Sequence, residues 1–188
     1  MTKFLPVLAM LAPLAAAHAA ADVYNIDPNH TSATFEFKHL GFSTFTAKFA
    51  KTSGTVTLDQ AAKTGSADIT IDATSVTTGV PKFDEHLQSK DFFEVEKYPT
   101  MTFKSQKFQF NGDQLASVSG DLTIHGVTKP VTLTVTSFAC KEHPMAKMPA
   151  CGADAKTTIK RSEFGVGNFV PMVGDEIPLR IEIEAIKK

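Results

Sequence analysis

Thr31-Ser32-Ala33-Thr34-Phe35-Glu36-Phe37-Lys38-His39 puts Ala33, Phe35 and Phe37 on one side of an extended chain and Thr34, Glu36 and Lys38 on the other. Strict alternation of this kind marks a strand with one buried and one solvated face. The period recurs along the chain. Val56 and Leu58 alternate with Thr55, Thr57 and Asp59, and Ala67, Ile69, Ile71 and Ala73 alternate with Asp68, Thr70, Asp72 and Thr74. Met101 and Phe103, Leu122 and Ile124, Val131, Leu133 and Val135, and Leu179, Ile181, Ile183 and Ala185 repeat it further on. Outer faces rich in Thr fit antiparallel pairing wetted on one side. Asn111-Gly112-Asp113 and His125-Gly126 supply turn chemistry. Val80 to Glu96 is charged and does not alternate, which predicts one or two short helices, and Pro99 marks the return to strand. Seven or eight strands with one apolar face each must stack as a sandwich or close as a barrel.

The rest of the composition narrows the class. The chain has 188 residues, 43% hydrophobic and 21% charged, with a formal charge of -1. That fits one domain and argues against a nucleic-acid binder working through a basic surface. Aromatic content is 15 Phe and 2 Tyr with no Trp, so almost none of it offers a hydrogen bond. Lys3, the apolar run Phe4 to Ala17 and the small residues after it read as a secretory signal peptide over residues 1–21. Pro6 and Pro13 interrupt that run, which disfavours the alternative of a membrane anchor. The expected mature domain is 22–188, soluble and periplasmic. Cys140 and Cys151 are the two cysteines; in an oxidising compartment they read as one structural disulfide, the alternative being a redox or metal pair.

Polar residues in the apolar phase are the most informative positions. His39 follows Phe35 and Phe37 in phase, and Arg161 follows Ile159 if residues 157–161 form a strand. Each lies at a strand end and reaches solvent or a carboxylate, or anchors the mouth of an apolar cavity.

Several longer motifs share one resemblance. Tyr24-Asn25-Ile26-Asp27-Pro28-Asn29-His30-Thr31, Phe35-Glu36-Phe37-Lys38-His39-Leu40-Gly41 and Thr74-Ser75-Val76-Thr77-Thr78-Gly79 come first. His86-Leu87-Gln88-Ser89-Lys90-Asp91-Phe92-Phe93 and Tyr98-Pro99-Thr100-Met101-Thr102-Phe103 follow in order. Gly120-Asp121-Leu122-Thr123-Ile124-His125-Gly126-Val127-Thr128-Lys129-Pro130-Val131 is the most specific stretch, and Arg161 with Phe164-Gly165 closes the series. Across the mature chain this resembles the YceI-like family of secreted polyisoprenoid-binding proteins. The resemblance implies an all-β, antiparallel eight-stranded lipocalin-like barrel with a short helical insertion, and a hydrophobic tunnel for a long isoprenoid chain. Many members carry Arg where this chain has Phe83 and Gly where it has Ala47, and a Cys140/Cys151 loop is not general among them. The loss of that Arg, and the likeness to a subgroup with such a loop, favour ubiquinone over a polyprenyl phosphate as ligand.

Phe suits a tunnel wall because it offers large area with no donor to satisfy. Candidate wall residues are Phe35, Phe37, Ile69, Ile71, Met101, Phe103, Leu133 and Ile183, with Phe164 beside them. Phe42, Phe45, Phe49, Phe92 and Phe93 are candidates for the entrance, and His39, His86 and Arg161 for polar contacts at the head group. No H-x-H, H-x-x-x-H or H-E-x-x-H spacing occurs, no G-x-S-x-G elbow exists, and Gly165-Val166-Gly167 lacks the third glycine of a dinucleotide loop. Asp84, Glu85 and His86 point in different directions on a helix. The expectation is therefore a binding protein without catalysis, cofactor or metal, whose partner is an isoprenoid lipid. A transient membrane contact and a dimer are further expectations. An enzyme acting on an isoprenoid head group and a β module with a filled core are the competing readings.

Overall fold

The computed structural model describes residues 21–188, so the expected signal peptide lies outside the described residues apart from Ala21. Eleven strands form one antiparallel sheet: β1 (Asp22–Ile26), β2 (Ser32–His39), β3 (Ser43–Phe49), β4 (Thr52–Asp59), β5 (Thr64–Asp72), β6 (Val76–Thr77), β7 (Thr100–Asn111), β8 (Gln114–Ile124), β9 (Val127–Glu142), β10 (Pro149–Lys160) and β11 (Glu176–Lys187). Six of them are halves of broken strands. β1 and β2 pair in turn with β11, β4 and β3 pair with β1 and β2, and β5 and β6 pair with β4 and β3. The three composite strands and the five continuous ones, eight in all, close into a barrel through the β1–β11 pairing. Closure removes the exposed edges that an open sandwich would keep.

The inward phase of the sequence is the inside of the barrel. Phe35 and Phe37 on β2, Ile69 on β5, Met101 and Phe103 on β7 and Leu122 and Ile124 on β8 are all buried. β10 forms a strand of twelve residues that alternation shows only at its end, because its inward side is Cys151, Ala153 and Ala155. It stops at Lys160, so Arg161 opens a short 3-10 turn (Arg161–Phe164) instead of ending the strand. β3 runs through Phe45 and Phe49, two of the residues expected at the entrance.

Two connections at one end position the site. The insertion between β6 and β7 contains α1 (Pro81–Gln88), which buries only Leu87. It is tied down by Asp84, which accepts hydrogen bonds from Thr78 N–H (2.6 Å), Thr78 Oγ1 (2.6 Å) and Thr77 Oγ1 (3.0 Å). Those donors hold the Asp84 carboxyl below its usual range. At its far end Tyr98 packs on His125 of the β8–β9 turn, with ring centroids 4.2 Å apart. Gly126 is required there: its φ is +76°, and a Cβ would come within 2.8 Å of the Tyr98 ring. The second connection, residues 161–175, joins β10 to β11.

Cys140 and Cys151 face each other on β9 and β10 and are disulfide-bonded. Closing so short a loop stabilises by roughly 3 kcal/mol in the chain-entropy picture.

Candidate functional site: an apolar interior in two chambers

The barrel encloses two apolar chambers. The lower holds about 180 Å³ of free space and the upper about 80 Å³. An apolar void of about 150 Å³ is enough to take up benzene, so this interior is not a filled core, which speaks against the competing reading of a filled β module. Phe35, Phe49, Met101, Ile124 and Leu179 line both chambers and form the wall between them. Phe93 reaches down from the insertion onto this wall. Its ring lies 6.0 Å from Phe35 and 5.3 Å from Phe49, edge-on to each, while Phe35 and Phe49 stack at 5.4 Å. The three rings make a donor-free constriction.

Most of the expected wall residues meet here. Ile69, Ile71, Phe103, Leu133 and Ile183 line the lower chamber, and Phe37, Phe92, Phe93, Arg161 and Phe164 line the upper. Phe35, Phe49 and Met101 belong to both. Sequence phase missed Phe108, Phe138 and Ala155 below, and Leu87, Val166 and Val173 above. The last three come from helix and loop, where no two-residue period exists.

Four expected residues lie elsewhere. Phe42 is 89% exposed at the tip of the β2–β3 turn. Phe45 and His39 are half-buried above the upper chamber and pack on Phe83, with centroids 5.2 and 6.0 Å from it. Phe83 also meets Phe37 edge-on at 5.9 Å. Phe83 thus forms an aromatic cap over Phe37, His39 and Phe45. His86 is exposed on α1, with Nε2 3.4 Å from Asp91 Oδ2 and its ring against Phe92 at 5.0 Å. It braces the insertion and touches neither chamber.

Arg161 is buried, as its phase suggested, but its hydrogen bonds are committed. Nε donates to Gly174 O (2.8 Å), Nη2 to Val173 O (2.8 Å) and Nη1 to Val166 O. Phe92 covers the guanidinium at 5.9 Å. Burial pushes its pKa down, and Asp175 offsets part of that. Asp175 is itself held below the usual carboxylate range by hydrogen bonds from Ser162 N–H and Oγ. Arg161 is first a brace for the 166–174 loop and second the only charged group on the wall of the upper chamber.

The hydroxyl-bearing lining of the lower chamber is Tyr24, Thr31, Ser32, Thr34 and Thr52, on or beside the strands that flank the breaks. Thr31 Oγ1 both donates to Glu184 O and accepts from Glu184 N–H. At the same break Asp27, His30 and Glu184 bring three ligand-type atoms within 4.8 Å of one another. Asp27 there accepts from Asn29 N–H (2.9 Å) and pairs with His30 Nδ1 (2.8 Å), which is a turn brace.

The YceI-like domain matches residues 24–185. The chain belongs to the YceI-like family. A UPF0312 protein of Pseudomonas aeruginosa (strain LESB58) is 36% identical over 192 residues, which covers 99% of this chain and 98% of the relative. Among solved structures, BcnA of Burkholderia cenocepacia superposes with a TM-score of 0.72 at 28% identity, covering 85% of this chain and 98% of its own. A polyisoprenoid binding domain from Saccharophagus degradans shares the fold, with a TM-score of 0.67 at 16% identity over 88% of this chain and 98% of that one.

Proposed function

We propose that this YceI-like protein is a periplasmic carrier that binds a long-chain isoprenoid lipid without chemically altering it, with ubiquinone favoured over a polyprenyl phosphate. The observation that carries the reading is the two-chambered interior, walled by Phe and aliphatic side chains and divided by the rings of Phe35, Phe49 and Phe93. A branched hydrocarbon gains about 0.8 kcal/mol per buried methylene-sized group, so a tail needs only such an enclosure. The Saccharophagus degradans neighbour, a polyisoprenoid binding domain, is of the same ligand class.

Orientation follows from the walls. The lower chamber offers no charge, and the upper offers one buried cation, Arg161. The tail occupies the lower chamber and the polar end lies in the upper one. A neutral quinone suits Arg161, whose donors are mostly spent on carbonyls, better than a phosphate that would demand them. Phe83 in place of a cation works in the same direction.

The test is titration of delipidated protein with ubiquinone and with a polyprenyl phosphate of matched tail length, both presented in detergent micelles. Tighter binding of the quinone, with the ligand recovered chemically unchanged, is the expected outcome. Preference for the phosphate overturns the quinone assignment, a modified head group overturns the carrier role, and binding of neither overturns the reading.

A further inference from the structure

Nine large apolar side chains are exposed among the described residues, and six of them sit at one end of the barrel: Leu40, Phe42, Val80, Phe169, Val170 and Met172. Five of the six belong to two loops that are bonded to each other. Leu40 N–H donates to Met172 O (2.9 Å), Gly174 N–H donates to Lys38 O (3.1 Å), and His39 forms a bridge with Val173. These loops also reach the upper chamber: Val173 lines it, and Phe169 packs on Phe92, which lines it, at 5.8 Å.

Folding alone does not account for these residues. The turn His39–Phe42 places both central residues, Leu40 (φ +50°) and Gly41 (φ +76°), in the left-handed region. Such turns favour Asn-Gly, and a bulky residue with positive φ is an outlier. Phe169 is a second exposed apolar outlier, at φ +65°. Both loops therefore hold an apolar side chain in water on a backbone that a polar or glycyl residue would fit better. Strain of this kind gathers at functional sites.

Charge selects the partner. The ten residues from Gly165 to Gly174 carry none, nor do the eight from His39 to Thr46, in a chain that is 21% charged. Charges lie at the flanks, on Lys38, whose Nζ donates to Thr44 Oγ1 (2.6 Å), and on Asp175, which accepts from Ser162, so the apolar tips themselves offer a folded partner no ion pair. Projecting, uncharged apolar tips fit a soft hydrocarbon phase.

We infer that Leu40, Phe42, Phe169, Val170 and Met172 form a docking surface that inserts into a lipid bilayer, at the end of the barrel where cargo is exchanged. This rests on the lipid-carrier reading. Insertion is driven by apolar contact, so it requires neither anionic lipid nor low salt.

The experiment is flotation of the delipidated mature chain with neutral phosphatidylcholine vesicles at low and high salt. Uptake of a long-chain isoprenoid quinone from detergent micelles is measured in parallel. The wild type is expected to float equally at both salt levels. Phe42→Asp is expected to lower partitioning about 10- to 100-fold, the factor that follows from burying one large apolar side chain. Leu40→Asn keeps a residue suited to left-handed φ, so it is expected to fold at least as well as the wild type and still to float less. Both variants are expected to take up quinone from micelles normally.

A wild type that fails to float overturns the docking surface, as do variants that float like it. A dimer that Phe42→Asp converts to monomer assigns the patch to a second copy and overturns it too. Flotation without quinone uptake leaves the docking surface standing and overturns the carrier reading instead.

Discussion

Replacing Ala155 by Phe sets a packed core and an open chamber against each other with opposite signs. Ala155 is buried on β10, paired with Val135 on one side and Ile181 on the other, and it lines the lower chamber. In a filled core an added ring forces strain costing typically 1–3 kcal/mol. The lower chamber holds about 180 Å³, and a void of about 150 Å³ already accommodates benzene, so the new phenyl ring has room. It then removes apolar surface from the chamber wall and contributes up to about 1.5–3 kcal/mol. For a chain of this length each kcal/mol moves the melting temperature by about 2–4 °C. The assay is thermal unfolding of delipidated wild type and Ala155→Phe, because bound ligand would itself raise the midpoint. An unchanged or raised midpoint is expected, together with loss of isoprenoid uptake. A midpoint lowered by several degrees with uptake retained would refute the reasoning, since the ring would then be overfilling a core that the ligand never enters.

Other predictions follow from individual contacts. Arg161→Lys replaces three nitrogens of a planar fork, each aimed at a different carbonyl, by one ammonium that cannot match all three directions; a hydrogen bond from a charged donor is worth about 1.5–3 kcal/mol, so a loss of at least that size is expected in urea unfolding, with faster amide exchange across residues 165–174. Asp84→Asn removes a carboxylate whose contribution is present above the ordinary Asp value and lost as pH falls through its lowered one. Exchange should rise locally in the α1 insertion at neutral pH, and the wild type should approach the variant in acid. Asp27 is held down by His30 and Asn29 N–H, and Asp27 holds His30 up. The Asp27 contribution is present above about 3.9 and the His30 contribution below about 6.5, so their contact is worth most in mildly acid buffer. His30→Gln should flatten the decline in melting temperature as pH rises through the histidine range.

The barrel was legible where inward residues are large. Phe35, Phe37, Ile69, Ile71, Phe103, Leu133 and Ile183 announce their side by phase alone, and all line the interior. β10 was legible only near its end, because Cys151, Ala153 and Ala155 are too small to contrast with the residues between them; that same smallness leaves the lower chamber open. β3 was obscured because Phe42 breaks the phase of Phe45, Ala47 and Phe49 at the turn. Phase reports which side of a sheet a residue faces and not its depth, so His39 was placed correctly in the wall yet above the chamber. Arg161 was read as inward in phase, either reaching solvent or a carboxylate at a strand end or anchoring a cavity mouth, but its partners are backbone carbonyls twelve and thirteen residues away and five residues away on one loop, and carbonyls leave no trace in residue identity. The division into two chambers depends on Phe93 of the insertion meeting Phe35 and Phe49, a contact between elements that no local period encodes.

The central claim is that this interior holds an isoprenoid lipid, and the most direct measurement is mass spectrometry of what the native protein carries. The chain, purified without detergent from cells that make it, is extracted with organic solvent. An isoprenoid, ubiquinone foremost, is expected at close to one molecule per chain, and its loss is expected in Ala155→Phe. Lipid-free protein, or a bound lipid with straight acyl chains in place of isoprene units, would contradict it.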